Sequence, residues 1–342
     1  MGAHVPLMKY VRLGSSGTLV SCVAIGTWHL PGSGKFGSDN VEDVDQSAFN
    51  KIFKKAYDAG VNFFDTANIY HGRVEHNEEH IDRTGNSELV LGNAMNGYER
   101  ESLVIATKVR GPMGNFSNAE GLSRKHIMWQ IRESLKRLNT DYVDLYQIHW
   151  KDNNTSLIET MKTMGHVVDM DYARYIGESN HSTQDIIEAM YISEKYMLHP
   201  FITMQEPYNI LDRIIENEKI KVAQTYHLGI LAYVPLAQGI LSGKYLSGSG
   251  ERSRYYPQLL EYAKENEDTV RKIVEFSKGK GITPSQLAIA WLIKRSDQIG
   301  VPVIPLLGIT SEKYADENLA ATEINLNNED MKDIESFWNK TG

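Results

Sequence analysis

The stretch Val61–Tyr70, which reads VNFFDTANIY, decides the fold that we predict for this chain. Its apolar beginning is typical of a buried parallel strand, and it ends in a carboxylate, Asp65, which a tyrosine, Tyr70, follows. Two further apolar runs also end in polar side chains, since SLVIATK ends at Lys108 and YVDLYQIH at His149. Polar groups that end buried parallel strands lie at the rim of a sheet or barrel, where α/β enzymes form their sites. We therefore expect these four side chains to meet at one point.

Strand patterns alternate with helical patterns along the rest of the chain. Strands are predicted at Val23–Gly26, Val61–Asp65, Leu103–Thr107, Tyr142–Ile148, Tyr175–Gly177, Phe201–Gln205, Gly229–Pro235 and Val301–Pro305. Helices are predicted at Asp45–Ala59, Asn86–Met95, Ser123–Leu138, Thr183–Tyr196, Asn217–His227, Thr269–Lys278, Pro284–Lys294, Ser311–Ala321 and Asn328–Trp338. This order is typical of an α/β protein and predicts a closed (β/α)8 TIM barrel, with an N-terminal β-hairpin at Tyr10–Val20 and extra helices at the C-terminus. An open doubly wound sheet is the alternative.

Spacing favours the barrel over the open sheet. Asp65, Lys108 and His149 are separated by stretches that each have the length of one strand and one helix. Consecutive strands of a parallel barrel are neighbours, so their C-terminal ends lie side by side. We expect loops at GSGKFG (Gly32–Gly37) and from Pro235 to about Glu267.

Composition limits the domain number and the partners. The chain has 342 residues with 41% hydrophobic content, and no linker rich in Pro, Gly or Ser divides it, so we expect a single domain over residues 1–342. A net charge of −8 argues against nucleic acid and against an anionic membrane. The single cysteine, Cys22, fits a reducing compartment, and neither a signal peptide nor a membrane-spanning run is apparent. We expect a cytoplasmic protein; the sequence does not indicate its oligomeric state.

The residue types at the predicted rim suit carbonyl reduction. Tyrosine is a poor acid at neutral pH because its pKa is about 10, but a neighbouring lysine stabilises the phenolate. A carboxylate beside that lysine keeps it charged, and an imidazole can orient a substrate oxygen. Taken singly, an aspartate at a strand end is commonly a helix cap, a lysine a surface group and a histidine a core residue. Together, at three consecutive strand ends, they favour a site.

Two other patterns are interpreted as non-functional. GSGKFG matches a dinucleotide fingerprint literally, but it does not directly open a helix. His71, His76 and His80 suggest metal ligands, yet the sequence EHNEEH around them is typical of a solvated loop. We expect no metal.

Several motifs carry a resemblance to a known family: FFDTANIYHG, IATKV, QIHW, IGESN, MQEPYN and YVPLAQGILSGKY. Together they resemble the aldo-keto reductase superfamily, in the branch of potassium-channel β subunits and bacterial NAD(P)-dependent oxidoreductases, from about Tyr10 to Trp338. The resemblance implies a barrel that binds NADP(H) or NAD(H) without a Rossmann fold. It also implies that Tyr70 is the general acid, that Asp65 and Lys108 adjust the pKa of Tyr70, and that His149 orients the carbonyl.

The resemblance also implies which residues bind the cofactor. Ser179, Asn180 and Gln205 would hold the nicotinamide carboxamide, and the ring of Tyr233 would stack on the nicotinamide. The remaining predicted cofactor contacts, besides Asp65, are Gly26, Thr27 and Trp28 in the first loop, Pro235, Leu236, Gln238, Gly239, Ser242 and Lys244 around the pyrophosphate, and Gly308, Thr310, Glu317 and Asn318 around the adenine and 2′-phosphate. Predicted substrate contacts are Trp28, Tyr70, His149 and Trp150.

The chain departs from the family pattern near the 2′-phosphate. Thr310 and Tyr314 stand where NADPH-preferring relatives often have Arg and Gln. Thr310, Ser311 and Lys313 can still meet a phosphate, so NADP is the predicted cofactor and NAD the alternative. A second departure places Glu178 in the IGESN motif, near the cofactor.

Three functions remain open at this stage. The first is an NAD(P)H-dependent reductase of aldehydes or ketones, working also in reverse on an alcohol or sugar. The second is a regulatory subunit that senses redox state through a bound cofactor, as the channel β subunits suggest. The third treats Lys108 as a Schiff-base lysine, which the neighbouring Asp65 argues against because it would keep the lysine charged.

Overall fold

The computed structural model describes residues 8–73, 78–247 and 258–338. The strands are β1 (Tyr10–Arg12), β2 (Leu19–Ser21), β3 (Ala24–Gly26), β4 (Gly32–Phe36), β5 (Glu42–Val44), β6 (Phe63–Asp65), β7 (Val104–Val109), β8 (Val143–Ile148), β9 (Ala173–Ser179), β10 (Phe201–Pro207), β11 (Gly229–Tyr233) and β12 (Val303–Gly308). The helices are α1 (Gln46–Asp58), α2 (Asn86–Met95), α3 (Arg124–Leu138), α4 (Leu157–Asp169), α5 (Thr183–Tyr196), α6 (Lys219–Tyr226), α7 (Gln258–Glu265), α8 (Glu267–Gly279), α9 (Pro284–Ile299), α10 (Glu312–Leu319) and α11 (Asn328–Phe337).

Eight of the strands close a parallel barrel in the order β3, β6, β7, β8, β9, β10, β11 and β12, with β12 pairing back to β3. The predicted (β/α)8 barrel is therefore confirmed, and the open sheet is excluded. Strand residues alternate between the barrel interior and the surrounding helices, and both faces are buried. This double burial explains why the strands appear in the sequence as nearly continuous apolar runs.

The predicted N-terminal hairpin is confirmed as β1 paired with β2, and it covers the N-terminal end of the barrel. Leu13 and Val20 are fully buried there, in one cluster with barrel residues such as Ile202. Gly14 has a φ of 57°, and a Cβ at this position would lie 1.8 Å from the carbonyl oxygen of Ile202. Only glycine lets the hairpin approach the barrel this closely.

Helix ends follow the expected chemistry. Asp45 caps α1 by accepting a hydrogen bond from the backbone N–H of Ala48 at 2.9 Å. Thr283 and Gln286 form a capping box at the start of α9. These local signals explain why the bounds of most helices could be predicted closely.

Three predictions about the elements were wrong. Gly32–Phe36 is a strand that pairs with Glu42–Val44, although its glycines predicted a loop. Helix α4 was missed because its buried face includes Thr160, Thr163 and Gly165, which interrupt the apolar period. Helix α7 occupies part of the predicted loop after Pro235, and residues 248–257 of that loop lie outside the described residues. Across the described ranges, no helix has the length and apolar character that crossing a membrane requires.

Candidate active site

Lys108 is the centre of the site at the C-terminal rim of the barrel. Its ammonium donates hydrogen bonds to Asp65 Oδ1 at 2.5 Å, to the Thr66 carbonyl at 2.8 Å and to the Tyr70 hydroxyl at 3.2 Å. Lys108 and Asp65 are both buried, at 0% and 2% exposure. The structure thus brings together three side chains that the strand pattern predicted to meet.

Asp65 is held from two further strands. Its Oδ2 accepts hydrogen bonds from the side-chain amides of Gln147 and Gln205, each at 3.0 Å. The Gln205 amide also donates to Gln147 Oε1 at 3.2 Å. The sequence reasoning missed Gln147, although it lies two positions before His149 and so faces the same side of β8.

The loop that carries Tyr70 is anchored along β7. The backbone N–H of Thr66 donates to a β7 carbonyl at 2.9 Å, and that of Asn68 donates to the Lys108 carbonyl at 3.2 Å. The Asn68 side chain also donates to Gln130 Oε1 at 3.2 Å. The turn between Asp65 and Tyr70 is consequently fixed, and the hydroxyl of Tyr70 is directed at the lysine.

The charges of this cluster act on one another. Burial raises the pKa of Tyr70 above its usual value of 10.0, the Lys108 charge acts in the opposite direction, and Asp65 adds to the rise. Burial alone would lower the pKa of Lys108, but Asp65 and Tyr70 outweigh it and raise that pKa. Tyr70 is therefore protonated and Lys108 charged at neutral pH.

Aromatic side chains lie near the Tyr70 ring. The Tyr70 and His149 rings meet edge to face with centroids 5.5 Å apart, and the Trp150 ring lies 4.6 Å from the His149 ring. Trp28 lies in the loop after β3, which runs beside the loop after Tyr70 through a bridge between His29 and Gly72. The structure thus places these predicted substrate contacts on loops at the same rim of the barrel.

The first loop continues directly from the rim. Gly26 pairs with Gly308 and with Asp65, so all three lie at the ends of neighbouring strands. Thr27 is buried, and both its N–H and its hydroxyl donate to the Asp65 carbonyl, at 2.9 and 3.2 Å. The predicted contacts in this loop therefore adjoin Asp65 and the groups around Lys108.

Asn180 is fixed in one orientation beside the site. Its Nδ2 donates to the His149 carbonyl at 3.0 Å and to Ser179 Oγ at 2.9 Å, while its Oδ1 accepts from the Tyr233 hydroxyl at 2.7 Å. Ser179 Oγ in turn donates to the Gln205 carbonyl at 2.9 Å. The four predicted contacts around the nicotinamide are therefore linked to one another and to His149.

A buried acidic pair lies behind these groups, on the side that faces the helices. Glu178 Oε2 accepts from the backbone N–H of His181 at 3.2 Å and lies 3.2 Å from its Nδ1. On the next strand, Glu206 forms an ion pair with Lys219 of α6, with 2.5 Å between Glu206 Oε1 and Lys219 Nζ. Glu178 therefore braces the turn that holds Asn180, and the sequence departure in the IGESN motif has a structural role.

Glu206 is expected to make stability depend on pH. Burial and the negative charge of Glu178 raise its pKa from 4.5 to about 7, against the opposing charge of Lys219. A carboxyl with a raised folded-state pKa stabilises the fold below its unfolded pKa and loses that contribution as the pH rises through the folded value. We expect the free energy of unfolding to fall as the pH rises from 4.5 to about 7. Glu206→Gln should make this fall smaller.

Urea unfolding at about pH 5 and about pH 8 checks this expectation. Glu133→Gln, which changes a partly exposed glutamate on α3, is the matched control and should keep the wild-type dependence on pH. An equally steep fall in Glu206→Gln and in the wild-type protein would contradict the assignment.

The segment after β11 curls tightly. Ala237, Gln238 and Gly239 have φ values of 47°, 56° and 93°. The Ser242 hydroxyl donates to the Gly239 carbonyl at 2.7 Å, and the Lys244 ammonium lies 2.9 Å from the place where a Cβ of Gly239 would be. Backbone N–H groups in curled segments of this kind form concavities that suit anions. The predicted pyrophosphate loop, which also includes Pro235 and Leu236, has this form.

The last predicted contacts lie on both sides of the start of α10. Thr310 and Lys313 are exposed there. Glu317 accepts a hydrogen bond from Thr283 Oγ1 at 2.7 Å, and Asn318 is buried at 4% exposure. These residues lie on one short stretch of the chain. Among the described residues, no recorded contact joins their side chains to Lys108, Asp65 or Tyr70.

The histidines interpreted as part of a solvated loop are arranged differently. His71 is buried, and its ring lies 6.3 Å from that of His80; His76 lies outside the described residues. Within the described ranges, no group of three or more His, Cys, Asp or Glu side chains could hold a metal ion.

Comparison with known proteins identifies the family of the chain. The sequence profile of the aldo/keto reductase family matches residues 23–339. The chain is also similar to the Saccharomyces cerevisiae protein named "Putative aryl-alcohol dehydrogenase AAD16", with 33% identity over 353 aligned positions that cover 96% of each chain. Members of this family are oxidoreductases that act with nicotinamide cofactors on small carbonyl compounds. The chain therefore belongs to the aldo/keto reductase family.

Proposed function

We propose that this chain is an NADPH-dependent reductase of aldehydes and ketones, with Tyr70 as the general acid. The observation that carries the proposal is the position of Lys108, whose ammonium contacts both the Tyr70 hydroxyl and the Asp65 carboxylate. This is the contact set that an acid with a tuned pKa requires. The reverse reaction, oxidation of the alcohol, uses the same groups.

In the proposed reaction the Tyr70 hydroxyl donates its proton to the substrate oxygen. The negative charge then passes to the phenolate, which the Lys108 ammonium stabilises at 3.2 Å. Asp65 keeps that ammonium in place, and two amides hold Asp65 in turn. His149 lies beside Tyr70 and orients the substrate oxygen.

The residues around Asn180 fit a nicotinamide cofactor. Asn180 has its amide fixed by three hydrogen bonds within the protein, which lowers the entropy cost of holding a carboxamide. Ser179 and Gln205 would share this task, and the Tyr233 ring would support the nicotinamide face. When bound, the reduced cofactor supplies the hydride. The tight turn at Gly239 would receive the pyrophosphate.

The choice of NADPH depends on the start of α10. Lys313 and Thr310 are exposed there, and Ser311 Oγ accepts the backbone N–H of Tyr314 at 3.3 Å. A lysine and a hydroxyl near a helix N-terminus suit a phosphate. NADH remains the alternative because no arginine is at this position.

The rings at the mouth favour aromatic substrates. Trp28 is half-buried on the rim loop beside that of Tyr70. Trp150 is half-buried too, and its ring extends the wall that begins with His149. The yeast relative is named as a dehydrogenase of aryl alcohols, which are the reduction products of aromatic aldehydes. Cytoplasmic location and a single domain stay predictions from composition.

Purified protein is expected to oxidise NADPH when benzaldehydes are added, and to use NADH less efficiently. Benzaldehydes are expected as substrates because the proposed acid, Tyr70, lies near the aromatic side chains of the rim. NADPH is expected to be preferred because Lys313 can meet a 2′-phosphate. The measurement is the steady-state consumption of each reduced cofactor with a panel of aldehydes, ketones and sugars.

Lys313→Met is the matched variant for the cofactor part of this proposal. It should raise the Kd for NADPH and leave that for NADH unchanged. Tighter binding of NADH by the wild-type protein would overturn the choice of NADPH. Cofactor binding without turnover of any carbonyl compound would overturn the reductase and favour a regulatory subunit.

A further inference from the structure

Arg110 stands in an unusual conformation at the rim, two positions after Lys108. Its φ is 150°, in the region that favours glycine, and its carbonyl accepts the backbone N–H of Gly121 at 2.8 Å. Backbone strain at a non-glycine residue persists only where the surroundings hold it, and it concentrates at functional sites. The strain here directs one specific side chain, an arginine, over the loop that follows β8.

The guanidinium of Arg110 has few partners. It lies 5.0 Å from the centre of the Trp150 ring, and its side chain is 21% exposed. Of its five N–H donors, one bonds to Glu120 at the long distance of 3.4 Å, and that glutamate is 59% exposed. Among the described residues, the buried Nε has no hydrogen-bond partner. A guanidinium this enclosed usually has a carboxylate or phosphate across from it.

The other titratable groups near Arg110 do not supply that partner. Its charge acts on Asp152 and on His126. The Asp152 oxygens already accept from Leu122 N at 2.8 Å and from Thr155 Oγ1 at 2.7 Å, and His126 faces a backbone carbonyl. Apart from the donor that bonds to Glu120, the N–H groups of Arg110 have no acceptor recorded among the described residues and can bind a ligand.

We propose that Arg110 binds an anionic group of the substrate, so that the preferred substrates are aromatic aldehydes with a carboxylate on the ring. The rings of Tyr70, His149 and Trp150 follow one another at 5.5 and 4.6 Å, and the Arg110 guanidinium lies 5.0 Å from the centre of the Trp150 ring. A benzaldehyde with its carbonyl at Tyr70 would extend along Trp150 and present a ring substituent to the guanidinium. This inference rests on the proposed reductase function and names its substrate class.

The test compares meta- and para-carboxybenzaldehyde with their methyl esters, which have the same ring and reacting carbonyl but no charge. The wild-type protein should have the higher kcat/KM for at least one acid. Arg110→Met should lower kcat/KM for that acid by about tenfold to a hundredfold, the size expected for a charged hydrogen bond, and leave the ester nearly unchanged. Arg110→Lys should restore part of the preference.

Two further variants keep the test independent of folding defects. Glu120→Gln removes the competing carboxylate and should raise kcat/KM for the acid alone. Arg124→Met removes an exposed arginine at the start of α3 and should leave kcat/KM unchanged for both substrates. The inference would be overturned if Arg110→Met lowered kcat/KM equally for the acid and the ester, or if the wild-type protein did not prefer the acid. Reduction of neither substrate would instead overturn the reductase proposal itself.

Discussion

Tyr70→Phe should lower kcat/KM for carbonyl reduction by about two to four orders of magnitude, the usual contribution of a positioned general acid. The change removes one oxygen and keeps the ring that packs 5.5 Å from His149. The Lys108 ammonium keeps its bonds to Asp65 and to the Thr66 carbonyl, so the fold of the rim should persist. The loss should appear in kcat, while the Kd for NADPH stays unchanged.

Steady-state kinetics and fluorescence titration of the cofactor separate these two effects. Tyr57→Phe is the matched control because it also removes a phenolic hydroxyl, one that contacts Ser102 at 3.0 Å away from the site. Its activity should equal that of the wild-type protein. Full activity in Tyr70→Phe would disprove the role of Tyr70 as the general acid. A higher Kd for NADPH would show that the hydroxyl contributes to cofactor binding instead.

Lys108→Met should remove activity and also destabilise the fold by about 3 to 5 kcal/mol, because it leaves the Asp65 carboxylate buried without its cation. Two amides would still donate to Asp65, but they do not neutralise it. The loss of the ammonium also removes the charge that opposes the raised pKa of Tyr70. Stability and activity should therefore fall together, unlike in Tyr70→Phe.

Urea unfolding measures the effect on stability, and the double variant Asp65→Leu/Lys108→Met serves as its control. Removing both charges should recover part of the lost stability, since no unpaired charge remains buried. The double variant should stay inactive. Wild-type stability in Lys108→Met, or a double variant that is less stable than the single one, would contradict this account of the pair.

The meeting of these side chains at the rim could be predicted because it depends on strand ends. Asp65, Lys108 and His149 each end an apolar run, and the rule that parallel strands share one rim brings them together. Gln147 was missed because a polar residue inside a strand is not distinctive without the partner that it contacts. The conformation of Arg110 was equally hidden, since its positive φ is imposed by a loop and not by a local residue preference.

The fold could be predicted where one physical signal dominated. Caps and apolar periods identified most helices, whereas α4 has threonines and a glycine on its buried face. The paired strand at Gly32–Phe36 depends on contacts with Glu42–Val44 that glycine content does not reveal. The cofactor residues came from family motifs, because single glycines and serines carry no such information alone. Their roles stay predictions.

The hairpin that covers the N-terminal end of the barrel determines from which side solvent can reach Tyr70. With Leu13 and Gly14 packed against the strands there, solvent reaches Tyr70 from the opposite end. In the proposed reaction each turnover would take one proton from Tyr70, and its replacement would come from water that enters through the opening proposed for substrate and cofactor. Reprotonation of Tyr70 would therefore be coupled to the release of product.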